Sequence, residues 1–135
     1  MEPCYLLDTN TIIYIRRNRP EIVRRAFRDL RAGEAVLSVI TMGELVYGVT
    51  KSSRRAEAIS QLRQITALLP VLPLHEETAQ VYGATRAELE SRGQMIGNND
   101  LWIAAHSIAA GLTVVTNNEK EFRRVPGLKI ENWAR

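Results

Sequence analysis

The chain has 135 residues, of which 45% are hydrophobic and 24% charged, a balance typical of one folded domain and not of a disordered segment. No apolar run approaches the ~20 residues of a membrane-spanning helix, and no basic stretch followed by an apolar segment indicates a signal peptide. Cys4 is the only cysteine, which excludes an internal disulfide and fits a reducing compartment. We therefore expect a single domain over 1–135, no membrane association and a cytoplasmic location.

Arginine dominates the basic residues. The chain has 18 basic and 15 acidic residues, a net charge of +3, but the segment 16–31 alone carries seven arginines against Glu21 and Asp29. Guanidinium groups suit bidentate contacts with phosphate and carboxylate groups. The segment is interpreted either as a solvated helix face or as a surface for a polyanion or an acidic protein, and the sequence leaves both open.

Apolar patterning predicts short strands that alternate with helices. In chain order the pattern predicts a strand over 4–7, helices over 9–17 and 20–31, a strand over 35–39, helices over 41–49 and 54–69, a strand over 71–72, helices over 76–92 and 100–110, and strands over 113–116 and 128–131. This alternation is typical of an α/β fold with a central parallel sheet. Cys4 is interpreted as a core residue, the helix over 41–49 as buried because it is apolar nearly all round, and Ala79 as inward-facing.

Three carboxylates interrupt otherwise apolar sequence. Asp8 follows the first strand, Glu44 is the sole charge between Val36 and Val49, and Asp100 opens a helix too apolar to lie on the surface. The end of the first strand falls at the sheet edge where open α/β folds place their sites. An ionised carboxylate in apolar surroundings is costly, so three of them require a common counter-charge. Because hard divalent cations prefer oxygen ligands, the pattern favours a metal site.

Each acid also has a local structural interpretation. Asp8 fits a cap of the following helix, Asn99 or Asp100 a cap of the next, and Thr41-x-x-Glu44 a capping box. Taken singly, these alternatives are as good as a metal role. Together they do not explain why the acids lie in hydrophobic segments.

Other catalytic schemes find less support. One cysteine and two histidines cannot supply the four ligands of a structural zinc site, and the chain has neither a phosphate-binding P-loop nor a G-x-S-x-G nucleophile motif. His75 and His106 are interpreted as structural residues. A haloacid-type phosphatase needs a second aspartate two residues after the first, where this chain has Asn10.

Four blocks of sequence resemble the PIN domain and, more narrowly, the VapC-type toxins of bacterial type II toxin–antitoxin systems. They are LLDTN at 6–10, SVITMGEL at 38–45, IGNNDLWIAAH at 96–106, and VVTNN at 114–118 with EF at 121–122. The resemblance extends to the closing segments 126–128 and 131–133, so it covers essentially the whole chain. It implies a PIN-like three-layer fold, with a mainly parallel sheet of about four to five short strands flanked by helices.

The resemblance also implies a metal-dependent endoribonuclease that uses Mg²⁺, with Mn²⁺ as the alternative ion. The family's catalytic and metal-binding acids fall on Asp8, Glu44 and Asp100. Our mechanistic hypothesis is that both aspartates hold the ion directly, while Glu44 binds it through water or orients the attacking water. Such attack leaves a 5′-phosphate and a 3′-hydroxyl on the products.

A fourth acidic position of many PIN domains falls on Asn118, which is an amide. Either Glu119 or Glu121 compensates, or three acids suffice, and the sequence does not decide between one and two metal ions. Residues that match supporting positions of the family, expected to hold the acids through hydrogen bonds, are Thr9, Asn10 and Thr116.

Substrate and partners follow only from the resemblance. It implies structured RNA as substrate, with transfer RNA as the leading class and initiator tRNA as the first candidate. It further implies a homodimer, a cognate VapB-type antitoxin and a toxin–antitoxin hetero-oligomer. The alternative function is a non-catalytic PIN-like module that binds RNA or protein.

Basic residues near the acidic motifs are candidate phosphate contacts, because clustered carboxylates by themselves repel RNA. They are Arg86, Arg92, Lys120, Arg123 and Arg124. Ordinary surface charge is an equally good interpretation of these side chains. Trp102 is interpreted as a core residue, with base stacking as the alternative.

Overall fold

Five short strands form the centre of the computed structural model, which describes residues 2–18, 25 and 28–134. The strands are β1 (Tyr5–Leu7), β2 (Ala35–Ser38), β3 (Val71–Leu72), β4 (Thr113–Val115) and β5 (Lys129–Glu131). Each is parallel to its neighbours, in the order β3-β2-β1-β4-β5. Because all the strands run in one direction, their carboxyl ends share one edge of the sheet, the edge at which open α/β sheets bind ligands.

The helices that connect these strands follow the predicted pattern closely. They are α1 (Thr9–Asn18), α2 (Val39–Lys51), α3 (Arg55–Leu68), α4 (Glu76–Ser91), α5 (Asn98–Ala110) and α6 (Glu119–Phe122). The short helix α6 was not predicted, and most of the helix predicted over 20–31 lies outside the described residues. Among the helices that the structure describes, none has the length and apolar character needed to cross a bilayer.

Two apolar clusters cover the two faces of the sheet. Leu6 is in register with Val36 and Val114 on the neighbouring strands, and all three belong to one cluster with residues of α4, α5 and α6. The next residues along the strands, exemplified by Leu7, belong to the other cluster with residues of α1, α2 and α3. Alternate side chains of a strand point to opposite faces, so the sheet is buried on both sides. This arrangement confirms the predicted three-layer α/β fold, with a sheet that is parallel throughout.

Three burial predictions were wrong. Cys4 is exposed, because it precedes β1 and its backbone, not its side chain, binds the sheet. Helix α2 is not buried all round: Val46 is 43% and Tyr47 65% exposed, since no described element covers that side. In α4 the buried residue of the first turn is Thr78, one position before the predicted Ala79, which is exposed.

Burial predicts that two leucines of the helical layers contribute very differently to the free energy of unfolding. Leu89 on α4 is 0% exposed, whereas Leu68 at the end of α3 is 68% exposed. We expect Leu89→Ala to lower the free energy of unfolding by about 2–5 kcal/mol, because the deletion leaves a cavity. Leu68→Ala, the matched control, should stay within about 0.5 kcal/mol of the original chain. Urea denaturation measures both, and equal losses would contradict this packing.

Candidate active site

Asp8 lies at the carboxyl end of β1 and is 1% exposed. Its Oδ1 accepts a hydrogen bond from the backbone N–H of Thr11 (2.8 Å), and its Oδ2 accepts one from the hydroxyl of Thr116 (2.6 Å). Thr116 follows β4, so the parallel pairing of β1 and β4 brings the two residues together. Burial raises the pKa of Asp8, the two threonines lower it and Glu44 raises it, with a net increase. The carboxylate is therefore fixed in position and costly to charge.

Glu44 projects from α2 toward the first turn of α1. The hydroxyl of Thr9 donates a hydrogen bond to Glu44 Oε1 (2.6 Å) and lies 3.2 Å from the hydroxyl of Thr41, a buried residue. Helix α2 begins directly after β2, because Ser38 caps it by accepting a hydrogen bond from the Ile40 N–H (3.1 Å). The strand-to-helix junction thus places Glu44 beside the residue that follows Asp8.

Asp100 lies in the first turn of α5, where it is half-buried. Its pKa is raised from 3.8 to about 6, first by burial and then by the charges of Glu121, Asp8 and Glu44. Coulombic effects decrease with distance, so three further carboxylates lie near Asp100. The structure therefore brings together the three acids singled out from sequence and adds a fourth.

Glu121 reaches this region from α6. Its Oε1 accepts a hydrogen bond from the Gly97 N–H (2.7 Å), and its Oε2 accepts one from the side-chain amide of Asn118 (2.6 Å). A Cβ atom added to Gly97 would lie 3.5 Å from Glu121 Oε1 and 3.6 Å from Asp100 Oδ2, so both carboxylates flank this glycine. The backbone N–H of Asn118 in turn donates to Thr116 Oγ1 (2.9 Å), which connects Glu121 to the support of Asp8.

We call Asp8, Glu44, Asp100 and Glu121 the acidic site. In the described part of the chain, no group of three or more Asp, Glu, His or Cys side chains is arranged so that it could hold a metal ion. Among the same residues, no ion pair neutralises any of the four carboxylates. Three of them are each fixed by a hydrogen bond from a different donor. A set of carboxylate oxygens with uncompensated charge matches the ligand preference of hard divalent cations.

Of the helix caps predicted at the three acids, the structure contains only the one at Asp8. Asp8 does cap α1, so for this residue the structural role coexists with its place in the acidic site. Ser38 caps α2, so the capping box predicted at Glu44 does not form. Helix α5 begins after Gly97 without a side-chain cap, so Asp100 is not a cap either. Capping explains neither Glu44 nor Asp100.

Other residues considered in the sequence analysis have different surroundings. Glu119 accepts from Arg123 at Oε1 (2.8 Å) and from Asn132 at Oε2 (2.9 Å). Asn10 is exposed on α1, and among the described residues its side chain forms no hydrogen bond to the acids that it was predicted to support. Trp102 stacks on Tyr82 of α4 with ring centroids 3.7 Å apart. Residues two apart in a helix point in nearly opposite directions, so Trp102 faces away from Asp100.

Most of the basic residues predicted to contact phosphate form ion pairs with glutamates that are near in sequence. Arg86, Arg92 and Arg123 each form an exposed ion pair with a glutamate four residues away. Arg124 donates to the carbonyl oxygen of Met95 (2.9 Å), beside the loop that carries Gly97, and Lys120 is exposed. Exposed ion pairs of this kind are weak, so phosphate groups can compete for these arginines.

Three residues that support the acidic site through hydrogen bonds were not identified as such from the sequence. Thr11 could have been found, because an N-cap carboxylate receives an N–H two or three residues later. Thr41 was considered only as part of a capping box. Gly97 gave no sequence signal, since its contact with Glu121 joins positions 24 residues apart.

A parallel α/β sheet with clustered carboxylates at its carboxyl edge is typical of metal-dependent nucleases. Comparisons with known proteins identify the same class. The model of the PIN domain family matches residues 5–128. Ribonuclease VapC2 of Rickettsia felis is 40% identical over 96% of this chain and 97% of its own length. The tRNA(fMet)-specific endonuclease VapC of Salmonella typhimurium is 40% identical over 96% and 98%. The solved structure of VapBC-1 from nontypeable Haemophilus influenzae superimposes with a TM-score of 0.91 at 36% identity and covers 100% of both chains.

This chain belongs to the PIN-domain family and, within it, to the VapC ribonucleases. The predicted family and fold class are confirmed. Ribonucleases with a PIN domain depend in general on divalent metal ions, which agrees with the ligand chemistry of the acidic site.

Proposed function

We propose that this chain is the toxin of a type II toxin–antitoxin system, an Mg²⁺-dependent endoribonuclease formed by one domain over 1–135. The observation that carries the proposal is the acidic site, in which burial and the charges of three other carboxylates, each from a separate segment, raise the pKa of Asp100 to about 6. Uncompensated carboxylates at the carboxyl edge of a parallel sheet require a cation, and the relatives of the chain are ribonucleases.

Asp8 and Asp100 are assigned as direct ligands of the ion, and Glu44 as a ligand through water. When bound, the ion lowers the pKa of a water molecule and stabilises charge on the phosphoryl oxygens. The chain's own contribution is orientation. Thr116 and Thr11 hold the Asp8 carboxylate, and Thr9 holds Glu44 Oε1. Glu44 Oε2 has no hydrogen-bond partner among the described residues, and we assign it to orienting the attacking water.

Glu121 is proposed as the fourth acid in place of Asn118. Two donors fix its carboxylate, and it flanks the same glycine as Asp100. Asn118 then acts as a donor that holds Glu121, which accounts for an amide at a position that is acidic in many members of the family. Glu119, bound to Arg123 and Asn132, is assigned no role in catalysis.

Transfer RNA is the proposed substrate, with initiator tRNA as the first candidate. The support is the Salmonella typhimurium relative, a tRNA(fMet)-specific endonuclease that is 40% identical to this chain. Phosphate contacts are assigned to Arg86, Arg92, Lys120, Arg123 and Arg124, which lie in segments adjacent along the chain to the acidic motifs and would offset the repulsion of RNA by the acids. Because transfer RNA is cytoplasmic, the proposed activity takes place there.

A VapB-type antitoxin is the proposed partner, within a hetero-oligomer that contains a dimer of this chain. The support is the VapBC-1 structure, whose matched chain is covered completely. The exposed Leu68 of α3 and the seven arginines of the sequence 16–31 suit an antitoxin with apolar and acidic contacts.

The proposed function predicts metal-dependent cleavage with defined product ends. Purified chain should cut initiator tRNA in Mg²⁺ or Mn²⁺, stop in EDTA, and leave a 5′-phosphate and a 3′-hydroxyl, because water and not the RNA 2′-hydroxyl is the nucleophile. Sequencing of RNA ends after brief expression in cells identifies the target without assuming it, and elongator methionine tRNA is the matched control substrate. Cleavage in EDTA or a cyclic phosphate product would contradict the mechanism. RNA binding without cleavage would indicate the non-catalytic module.

A further inference from the structure

His106 is a buried titratable residue with no place in the proposed chemistry. It is 2% exposed and lies on α5, the helix that carries Asp100. Its Nδ1 is 2.8 Å from Oγ of Ser38, which is 0% exposed and 68 positions away along the chain. Ser38 ends β2 and caps α2, the helix that carries Glu44. The contact thus joins the helix of one acid to the cap of the helix of another.

The direction of this contact depends on which ring nitrogen of His106 carries the proton. We assign the proton to Nε2, because the Pro73 backbone that His106 contacts can only accept. Ser38 Oγ then accepts from the Ile40 N–H (3.1 Å) and donates its hydroxyl hydrogen to His106 Nδ1. Burial and the charge of His75 lower the pKa of His106, against a smaller opposite effect of the Pro73 backbone. The ring is therefore neutral at neutral pH, and its Nδ1 can accept. One chain of hydrogen bonds runs from the first turn of α2 through Ser38 into α5.

Beside His106 the apolar packing of α5 comes from small side chains, whereas the bulkier Leu101 and Ile103 of the same helix pack in the core cluster. Residues Ala104 and Ala105 next to His106 are 0% exposed, and such small side chains let α5 lie close to its neighbours without interlocking. Apolar contacts are also non-directional. A buried hydrogen bond has one favourable geometry, so it opposes sliding or rotation of α5 against the start of α2.

We propose that His106 is a positioning residue whose hydrogen bond to Ser38 fixes α5 relative to α2, so that Asp100 and Glu44 face the same ion. The inference rests on the proposed function, because it concerns the metal site assigned there. The described hydrogen bond of His106 leads to Ser38 and not to one of the four acids, so His106 acts through the placement of two helices.

The test measures Mn²⁺ binding to the purified full-length chain by isothermal titration calorimetry, a readout that does not depend on cleavage. His106→Phe keeps a planar ring but removes Nδ1, and we expect the dissociation constant for Mn²⁺ to rise about tenfold, as for other residues that orient metal ligands. His106→Asn places an amide oxygen close to the position of Nδ1 and should restore wild-type affinity. If His106→Phe does not fold, His106→Gln replaces it, because its amide reaches the position of Nε2 and not that of Nδ1.

Ser107→Ala is the matched control. Ser107 is the next residue of the same helix, is 0% exposed, and donates a hydrogen bond to the Leu112 carbonyl oxygen (2.7 Å), which does not lead to α2. We expect this variant to unfold at a lower temperature with unchanged Mn²⁺ affinity. Wild-type affinity in His106→Phe, or an equal loss of affinity in Ser107→Ala, would overturn the positioning role.

A further variant separates failure of this inference from failure of the proposed function. Asp100→Ala should bind Mn²⁺ far more weakly than wild type. If wild-type chain binds no Mn²⁺, the proposed function and the inference fall together. If binding depends on Asp100 but is the same in His106→Phe as in wild type, only the inference falls.

Discussion

Asp100→Asn is expected to abolish RNA cleavage and, in metal-free buffer above pH 6, to make the chain more stable than wild type. The amide keeps the shape of the side chain and loses the charge to which the proposed function assigns the binding of the ion. Loss of a direct ligand should slow cleavage roughly 1,000-fold or more, the rate equivalent of about 4 kcal/mol in the barrier. Few substitutions in an enzyme remove activity and add stability together, so the pair of effects is diagnostic.

The gain in stability follows from the raised pKa of Asp100. In the folded chain this pKa is about 6, above the value of 3.8 that applies when the chain is unfolded. The folded state therefore binds the proton more readily, and wild-type stability falls as the pH rises from about 4 through 6. Above pH 6 the full cost of a charged Asp100 is present. An asparagine never carries that charge. The Asp100→Asn variant should therefore lack the part of the pH dependence of stability that comes from residue 100.

Thermal unfolding in EDTA between pH 4 and 8, together with cleavage assays in Mg²⁺, measures both effects. Asp29→Asn is the matched control, because Asp29 is the remaining aspartate besides Asp8 and is exposed. It should cleave RNA as wild type does and show the wild-type pH dependence. An Asp100→Asn variant that cleaves at the wild-type rate, or that is less stable than wild type at pH 7 without metal, would exclude the assigned role.

Glu121→Gln is expected to reduce cleavage by about 10–100-fold, whereas Glu119→Gln should leave it nearly unchanged. Both residues belong to the same short helix, but Glu121 flanks Asp100, and Glu119 binds Arg123 and Asn132. The glutamine retains an oxygen that can accept from the Gly97 N–H. Its amide nitrogen no longer accepts from Asn118, so the expected loss reports the charge of Glu121 together with that second hydrogen bond.

A pH profile at limiting Mg²⁺ tests the electrostatic part of this prediction. Cleavage by wild type should increase as the pH rises through about 6, because Asp100 must lose its proton to bind the ion. Among the charges that raise this pKa, Glu121 has the largest effect. In Glu121→Gln the increase should therefore begin at a lower pH. An unchanged midpoint, or equal losses of activity in the two glutamine variants, would show that Glu121 does not act on Asp100 in this way.

Local patterns in the amino-acid sequence specify the layers of the fold and three of the four carboxylates of the acidic site. Short apolar runs specified strands buried on both faces, and the alternation with helices specified a parallel sheet. Asp8, Glu44 and Asp100 were recognisable because burying a charged side chain is unfavourable. Their apolar neighbours along the chain already indicate that they are fully or partly buried. The blocks shared with PIN domains identified the same three positions.

The residues that complete the acidic site could be identified only from the way the helices and strands pack together. Glu119 and Glu121 are two residues apart, so they point in nearly opposite directions, and only the docking of α6 selects Glu121 for the acidic site. The exposed side of α2 could not be predicted either, because exposure depends on whether another element covers it. Ser38 and His106 meet across 68 positions, and no local pattern encodes a contact between residues so far apart. Periodicity reports what each segment must bury, whereas the packing of segments against one another determines which side chains meet.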